Sequence, residues 1–113
     1  MMRSWVVGGA CVLVVLMASV QLAAAAGEAA AGKDVYAKKC GTCHGDKGEG
    51  KPAIAKMMKV EMRPLGSSDV QALSDENVTE IITKGKEKMK PVQGLSPADV
   101  ANVIAYVRTL PKP

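Results

Sequence analysis

The sequence predicts an all-α protein, in which three main helices and long loops wrap around one flat prosthetic group. Two observations predict helices: Ser74 and Ser96 are good N-cap residues, and acidic residues follow each of them where the helix dipole favours negative charge. A third observation argues against a sheet, because no run alternates apolar and polar residues as a half-buried strand does. A chain of 113 residues has room for a single domain.

The N-terminal segment, residues 1–26, has the layout of a secretory signal peptide. Arg3 is the only charge before Glu28, and the apolar run between them ends in alanines at positions 23 to 26. We expect cleavage after Ala26, because small residues at A-x-A positions mark such sites. Residues 27–113 then form the mature domain. An uncleaved membrane anchor is the alternative, since the apolar run is long enough to span a bilayer.

Residues 30–39 form the first predicted helix, which leads directly into a cysteine motif. Gly32, Tyr36 and Cys40 are spaced four residues apart and line one helix face. Beyond residue 26 the only aromatic residues are Tyr36 and Tyr106. A small domain with so few large apolar side chains needs a disulfide, a metal or a cofactor to fold stably.

The motif Cys40-Gly41-Thr42-Cys43-His44 has the C-x-x-C-H spacing of a c-type haem attachment site. Two thiols three positions apart on a helical turn can each form a thioether with one haem vinyl group. The adjacent histidine can then ligate the iron from the proximal side. We therefore predict one covalent haem c, attached at Cys40 and Cys43, with His44 as an iron ligand.

Three other uses of the motif fit less well. A structural zinc site needs four nitrogen or sulfur ligands, whereas the chain beyond residue 26 has two cysteines and one histidine. A thioredoxin-like dithiol belongs at the end of a strand in a βαβ unit, and this motif follows a helical stretch. A Cys40–Cys43 disulfide would close a loop too small to stabilise much.

The middle of the chain is predicted to be mostly loop. Residues 45–51 are polar and rich in glycine. A short helical turn is predicted over 54–60, and the stretch 61–73 is predicted to be mostly loop.

Two further helices complete the predicted fold. The first starts after Ser74 and ends at Gly85, with an apolar stripe of Val78, Ile81 and Ile82. The second starts at Pro97, with Ser96 as its cap, and continues until Pro111 stops it. Its predicted buried stripe consists of Val100, Val103, Ile104, Val107 and Leu110.

The pattern resembles the class I, mitochondrial-type cytochromes c of the small bacterial kind, over essentially all of residues 27–113. The resemblance rests on the run Gly32-x-x-x-Tyr36-x-x-x-Cys40-x-x-Cys43-His44, on Lys88-Met89 and on the closing Ala105-Tyr106-Val107-Arg108. It implies a cytochrome c-type fold, in which the first and last helices cross at nearly right angles. A glycine lies at the crossing with aromatic residues beside it, and Gly32, Tyr36 and Tyr106 occupy the matching places.

The second iron ligand cannot be a histidine of this chain, because His44 is the only one. Methionine is the natural alternative, and the candidates beyond residue 26 are Met57, Met58, Met62 and Met89. Met89 lies in a loop far enough from His44 to return over the opposite haem face, and the resemblance also implies it. The family motif is Lys-Met-Pro, whereas Lys90 separates Met89 from Pro91 here. Met62 is the rival.

The resemblance also implies that a proline carbonyl accepts a hydrogen bond from the proximal histidine, which fixes the orientation and basicity of the ring. Pro52 follows the glycine-rich loop, so its backbone oxygen is the candidate acceptor.

His/Met ligation leaves no open iron position, so we expect a soluble, monomeric one-electron carrier of the periplasm and not an enzyme. Two alternatives remain: a five-coordinate haem sensor or peroxidase-like module, and a haem subunit of a larger respiratory complex. A nucleic-acid partner is not expected, because the net charge is only +4 and the chain is predicted to be exported. Lysines flank Met89, so we expect redox partners with acidic docking surfaces. These lysines are Lys84, Lys86, Lys88 and Lys90.

Overall fold

The computed structural model describes residues 27–113, together with Gly8 and Gly9. Apart from these two glycines, the predicted signal peptide lies outside the described residues, as does its cleavage site. The described residues form six helices: α1 (Ala29–Lys39), α2 (Gly41–His44), α3 (Pro52–Met58), α4 (Ser68–Gln71), α5 (Asp75–Lys84) and α6 (Pro97–Val107). No strand occurs among them, and the predicted all-α class is confirmed.

Helices α1 and α6 make the most extensive helix–helix contact in this part of the chain. Gly32 is buried in α1, and a Cβ atom at this position would overlap the backbone carbonyl of Asn102 in α6. The backbones therefore touch, as the resemblance implied. Beside this contact the Tyr36 and Tyr106 rings pack with their centroids 5.2 Å apart and their planes tilted by 58°. Aromatic pairs favour tilted arrangements at this distance.

The hydrophobic core lies where α6 meets α1 and α5. The whole predicted stripe of the last helix is buried, together with Tyr36 and Ile82. Val78 and Ile81 of the α5 stripe are only half-buried. The face of α5 that carries them is therefore incompletely covered by protein.

The helix ends follow the predicted signals closely. The Ser74 hydroxyl accepts a hydrogen bond from the Asn77 backbone at the start of α5. Ser96 and Asp99 form a reciprocal capping box at the start of α6. The prediction that α6 continues to Pro111 is wrong by one turn: the helix ends at Val107, and the Leu110 N–H bonds the Val107 carbonyl in a tighter turn.

The middle of the chain contains more helix than predicted. Helix α3 begins at Pro52, two residues before the predicted turn, because proline is well suited to the first helical position. The short helix α4 interrupts the predicted loop 61–73. The Gln71 side chain at its end donates to the carbonyls of Leu65 and Val107, so tertiary hydrogen bonds hold α4 against the end of α6.

The guanidinium of Arg108 fastens the start of α5 in the same region. It donates to the carbonyls of Gln71 and Leu73 and pairs with the Asp75 carboxylate at 2.8 Å. The side chain of Arg108 is 27 % exposed, so these hydrogen bonds to backbone carbonyls are partly shielded from water. Arg108 thus joins the end of α6 to the segment that leads into α5.

Candidate haem-binding site

Cys40, Cys43 and His44 lie together on one helical turn. Cys40 ends α1, where its N–H bonds the Tyr36 carbonyl at 2.8 Å, and it also begins α2. The Cys40 carbonyl then accepts from the N–H groups of Cys43 and His44, at 3.2 and 3.0 Å. Both thiols are free. The backbone thus brings the two thiols and the imidazole to adjacent positions, as the spacing predicts.

Burial affects the titration of two side chains in this turn. It raises the pKa of the Cys40 thiol to about 11, so this thiol stays protonated at neutral pH. Burial also lowers the pKa of His44, which favours the neutral imidazole that binds metals. The His44 Nδ1 atom is buried without a hydrogen-bond partner among the described residues. Two free thiols and a half-buried imidazole whose Nδ1 atom has no partner among the described residues fit a covalently attached haem.

A structural metal site has less support. The described residues contain no group of three or more His, Cys, Asp or Glu side chains placed to hold a metal ion. The zinc alternative therefore lacks the ligands it would need within residues 27–113.

The glycine-rich loop folds back onto the motif. The Gly50 N–H bonds the His44 carbonyl at 2.7 Å, and the Lys51 N–H bonds the Cys43 carbonyl at 3.2 Å. Gly45 and Gly50 both have positive φ angles, which glycine adopts without strain. The loop therefore brings the start of α3 close to Cys43 and His44.

Pro52 is exposed and is the first residue of α3. A carbonyl at this position can accept from the N–H four residues later in the helix, and its second lone pair remains available. The structure shows no bond from His44 Nδ1 to Pro52. The role of Pro52 stays a prediction.

Met89 lies at the end of a tight turn after α5. Lys86 and Met89 exchange reciprocal backbone hydrogen bonds, both 2.9 Å long, and Glu87 adopts a positive φ of 53° between them. A Cβ atom on Gly85 would lie 2.6 Å from the Met89 carbonyl, so the turn packs closely on the end of α5. The Met89 side chain is half-buried. The turn from Lys86 to Met89 is thus well defined, and Lys90 follows it directly.

A groove of about 390 Å³ borders this turn. Its apolar wall consists of the half-buried Leu73 and Ile81, and Gly85 and Lys86 lie at the end nearest Met89. Arg108 holds the Leu73 carbonyl, so the wall is fixed to α6. The groove therefore runs along α5 to the start of the Met89 turn, and Met89 itself does not line it.

The other methionines have different surroundings. The prediction that Met57 fills the core is wrong, because its side chain is 69 % exposed. Met58 is half-buried on α3. Met62 lies against the loop that follows His44, because its Cγ atom would be 3.3 Å from a Cβ atom on Gly50. Met62 is thus close in space to the loop whose Gly50 N–H bonds the His44 carbonyl.

Tyr36 makes a contact beside the cysteine motif that the sequence did not reveal. Its hydroxyl donates a buried hydrogen bond of 2.6 Å to the carbonyl of Gly45, the residue after His44. Burial raises the pKa of Tyr36 far above its ordinary value, so the hydroxyl keeps its proton. The four-residue spacing to Cys40 placed Tyr36 on the correct face, but no sequence signal identified the acceptor in the loop.

Comparison with known proteins shows which protein family this chain resembles. Residues 27–107 match the protein family described as cytochrome c oxidase, cbb3-type, subunit III. The chain is 32 % identical over 93 residues to cytochrome c-554(547) of Halothiobacillus neapolitanus, covering 75 % of this chain and 99 % of that one. It also resembles the solved structure of the c-type cytochrome KustC0563, with a TM-score of 0.58 and 30 % identity, over 68 % of this chain and 93 % of the other.

Proposed function

Because the chain belongs to the c-type cytochrome family of cbb3-type oxidase subunit III, as a small monohaem member, we propose that it is an exported one-electron carrier with His/Met ligation. Cys40 and Cys43 would hold the haem, with His44 and Met89 as the axial ligands. The bound iron supplies the redox chemistry by taking up and releasing one electron. We place the mature domain, residues 27–113, in the periplasm as a monomer.

The turn from Cys40 to His44 carries this proposal. It presents two free thiols and one half-buried imidazole on a helical turn held by backbone hydrogen bonds. Among residues 27–113 no helix is long and apolar enough to cross a membrane.

Met89 supports a carrier over a five-coordinate sensor or peroxidase-like module. Its backbone is fixed by the reciprocal bonds to Lys86 and by the close approach of Gly85. A methionine whose backbone is held in this way would keep its thioether near the iron in both oxidation states, which would keep the reorganisation during electron transfer small. Pro52 is our proposed acceptor for the free nitrogen of His44.

The absorption spectrum of the purified oxidised protein tests this proposal. We expect the weak far-red band that a methionine–iron bond gives, and no spectral change when carbon monoxide is added to the reduced protein. A five-coordinate iron would lack the band and bind carbon monoxide readily. That result would replace the carrier by the sensor or peroxidase-like alternative.

The family description supports a second candidate, a haem subunit of a larger respiratory complex. Both candidates use the same haem site, but the first acts as a single chain and the second as part of a complex. Purification from the native membrane and soluble fractions separates them: a carrier elutes alone, whereas a subunit elutes with its partners.

Four lysines next to Met89 support docking to acidic redox partners. We call them the lysine collar: Lys84, Lys86, Lys88 and Lys90, all exposed. Lys84 pairs with Glu80 at 3.6 Å, whereas no ion pair involves the other three among the described residues. Lys86 and Lys88 lie in the turn and Lys90 follows it, with the exposed carboxylate of Glu87 between them. The remaining excess of positive charge can steer a negatively charged partner toward the site.

Replacing Lys86, Lys88 and Lys90 by glutamine is expected to lower the second-order rate of electron transfer with an acidic partner by roughly tenfold at low salt. The dependence of that rate on ionic strength should flatten, because exposed charges are screened once the Debye length falls to ~10 Å. Stopped-flow kinetics over a salt series measures both. The spectrum and potential should stay unchanged, because rim charges act on encounter.

A matched variant removes the same charge elsewhere: Lys33→Gln, Lys38→Gln and Lys112→Gln, all at exposed positions. It should lower the rate much less. Equal rates in the two triple variants would mean that net charge alone, and not the lysine collar, guides association.

A further inference from the structure

Tyr36 contacts both ends of the turn that carries the predicted haem ligands. Its backbone carbonyl accepts from the Cys40 N–H at 2.8 Å, where the turn begins. Its hydroxyl donates to the Gly45 carbonyl at 2.6 Å, where the turn ends. Between these two points the ring passes Gly41, where an added Cβ atom would lie 3.8 Å from the Tyr36 ring.

The tyrosine itself is held rigidly. It is 2 % exposed, one of the two largest fully buried side chains in the described part of the chain. The Tyr106 ring packs on it from α6, and the contact of Gly32 with Asn102 fixes α1 one turn earlier. The hydroxyl group therefore has little freedom to move away from Gly45.

The Gly45 carbonyl has a direct link to His44. Gly45 follows His44 in the chain and has a positive φ of 81°, at the point where the backbone leaves the helical turn. The Gly50 N–H already bonds the His44 carbonyl. The Gly45 carbonyl belongs to the next peptide unit, where it accepts from the Tyr36 hydroxyl and also from the Gly48 N–H at 3.2 Å. Both of the peptide units that follow His44 are therefore held by hydrogen bonds.

We propose that Tyr36 is a positioning residue for the iron ligand: its hydroxyl fixes the Gly45 carbonyl and thereby sets the orientation of the His44 imidazole. This inference rests on the proposed function, in which His44 is the proximal ligand. An axial imidazole that rotates changes its overlap with the iron orbitals and hence the magnetic and redox properties of the site.

Tyr36→Phe removes only the hydroxyl and keeps the buried ring. Tyr106→Phe is the matched control, because it removes a hydroxyl from the same ring pair, and that hydroxyl makes no hydrogen bond among the described residues. We expect Tyr36→Phe to shift the haem-methyl proton resonances and the electron paramagnetic resonance g values of the ferric protein, together with its reduction potential. Tyr106→Phe should leave all three at the wild-type values.

A purely structural role predicts a different outcome. Tyr36→Phe would then unfold at lower denaturant concentration while its resonances, g values and potential matched the wild type, and the proposal would be overturned. Wild-type protein without covalent haem, or with haem not ligated by His44, would instead reject the proposed function, and this is visible before any variant is made.

A measurement on the wild type keeps the inference testable if Tyr36→Phe fails to mature. The Tyr36 hydroxyl proton should give a slowly exchanging resonance with a nuclear Overhauser effect to the Gly45 α-protons. A hydroxyl proton in fast exchange with water would show that the bond to Gly45 does not persist, and would overturn the proposal.

Discussion

Met89→Ala is expected to abolish the far-red band of the oxidised protein, lower its reduction potential and let cyanide or imidazole bind the iron. The methionine thioether favours the reduced state of haem iron, and its removal opens a coordination position. The free energy of unfolding should fall by ~2 kcal/mol, because a half-buried side chain is lost together with an iron bond. Absorption spectra, potentiometry and ligand titration measure these effects.

Met57→Leu and Met62→Leu are the controls for this prediction. Met57 is largely exposed, and Met62 packs against the loop after His44, so both variants should keep the band. Loss of the band in Met62→Leu, with retention in Met89→Ala, would transfer the distal role to Met62.

Cys40→Ala and Cys43→Ala are each expected to reduce the yield of holo-protein by at least about tenfold, because folding of this small domain depends on the bound cofactor. The wild-type protein should have the mass of the chain from Gly27 plus one haem. Acid–acetone should extract no haem from it, since thioether bonds resist this treatment. Mass spectrometry and haem staining after denaturing electrophoresis report both quantities.

Cys11→Ala provides the matched cysteine control. Cys11 lies in the predicted signal peptide, so the variant should give mature protein of unchanged mass and yield. Haem that acid–acetone extracts from the wild type would contradict covalent attachment, and a mature mass that includes Cys11 would contradict cleavage after Ala26.

The sequence predicted those parts of the fold that depend on local backbone chemistry. The caps at Ser74 and Ser96 and the end of α5 at Gly85 each follow from one residue and its near neighbours. The contact of Gly32 with α6 was implied by family resemblance and confirmed in the structure.

Long-range hydrogen bonds account for what the sequence did not predict. Helix α4 depends on bonds from Gln71 to residues 6 and 36 positions away, and Arg108 reaches back 35 positions to Leu73. Such pairs leave no periodic signal in a single sequence. The Tyr36–Gly45 bond spans only nine positions, yet its acceptor is a backbone carbonyl, which no residue type marks.

For the candidate site, too, the sequence predicted the local placement of residues but not the shape of the Met89 turn. The placement of Cys40, Cys43 and His44 on one turn follows from their spacing alone. The shape of the Met89 turn does not, because Lys90 breaks the family motif and Glu87 adopts a left-handed conformation that its side chain does not indicate.

The contact between α1 and α6 determines when the core beside the cysteine motif is complete. Helix α1 is the first described helix, and its principal packing partner is the last. During synthesis the N-terminal half of the chain therefore emerges without the segment that completes its core, and closing this long separation must await the final residues. Cys43 is exposed even in the folded protein, and until α6 packs on α1 the half-buried Cys40 is accessible as well, so the order of synthesis itself keeps the chain open for cofactor attachment.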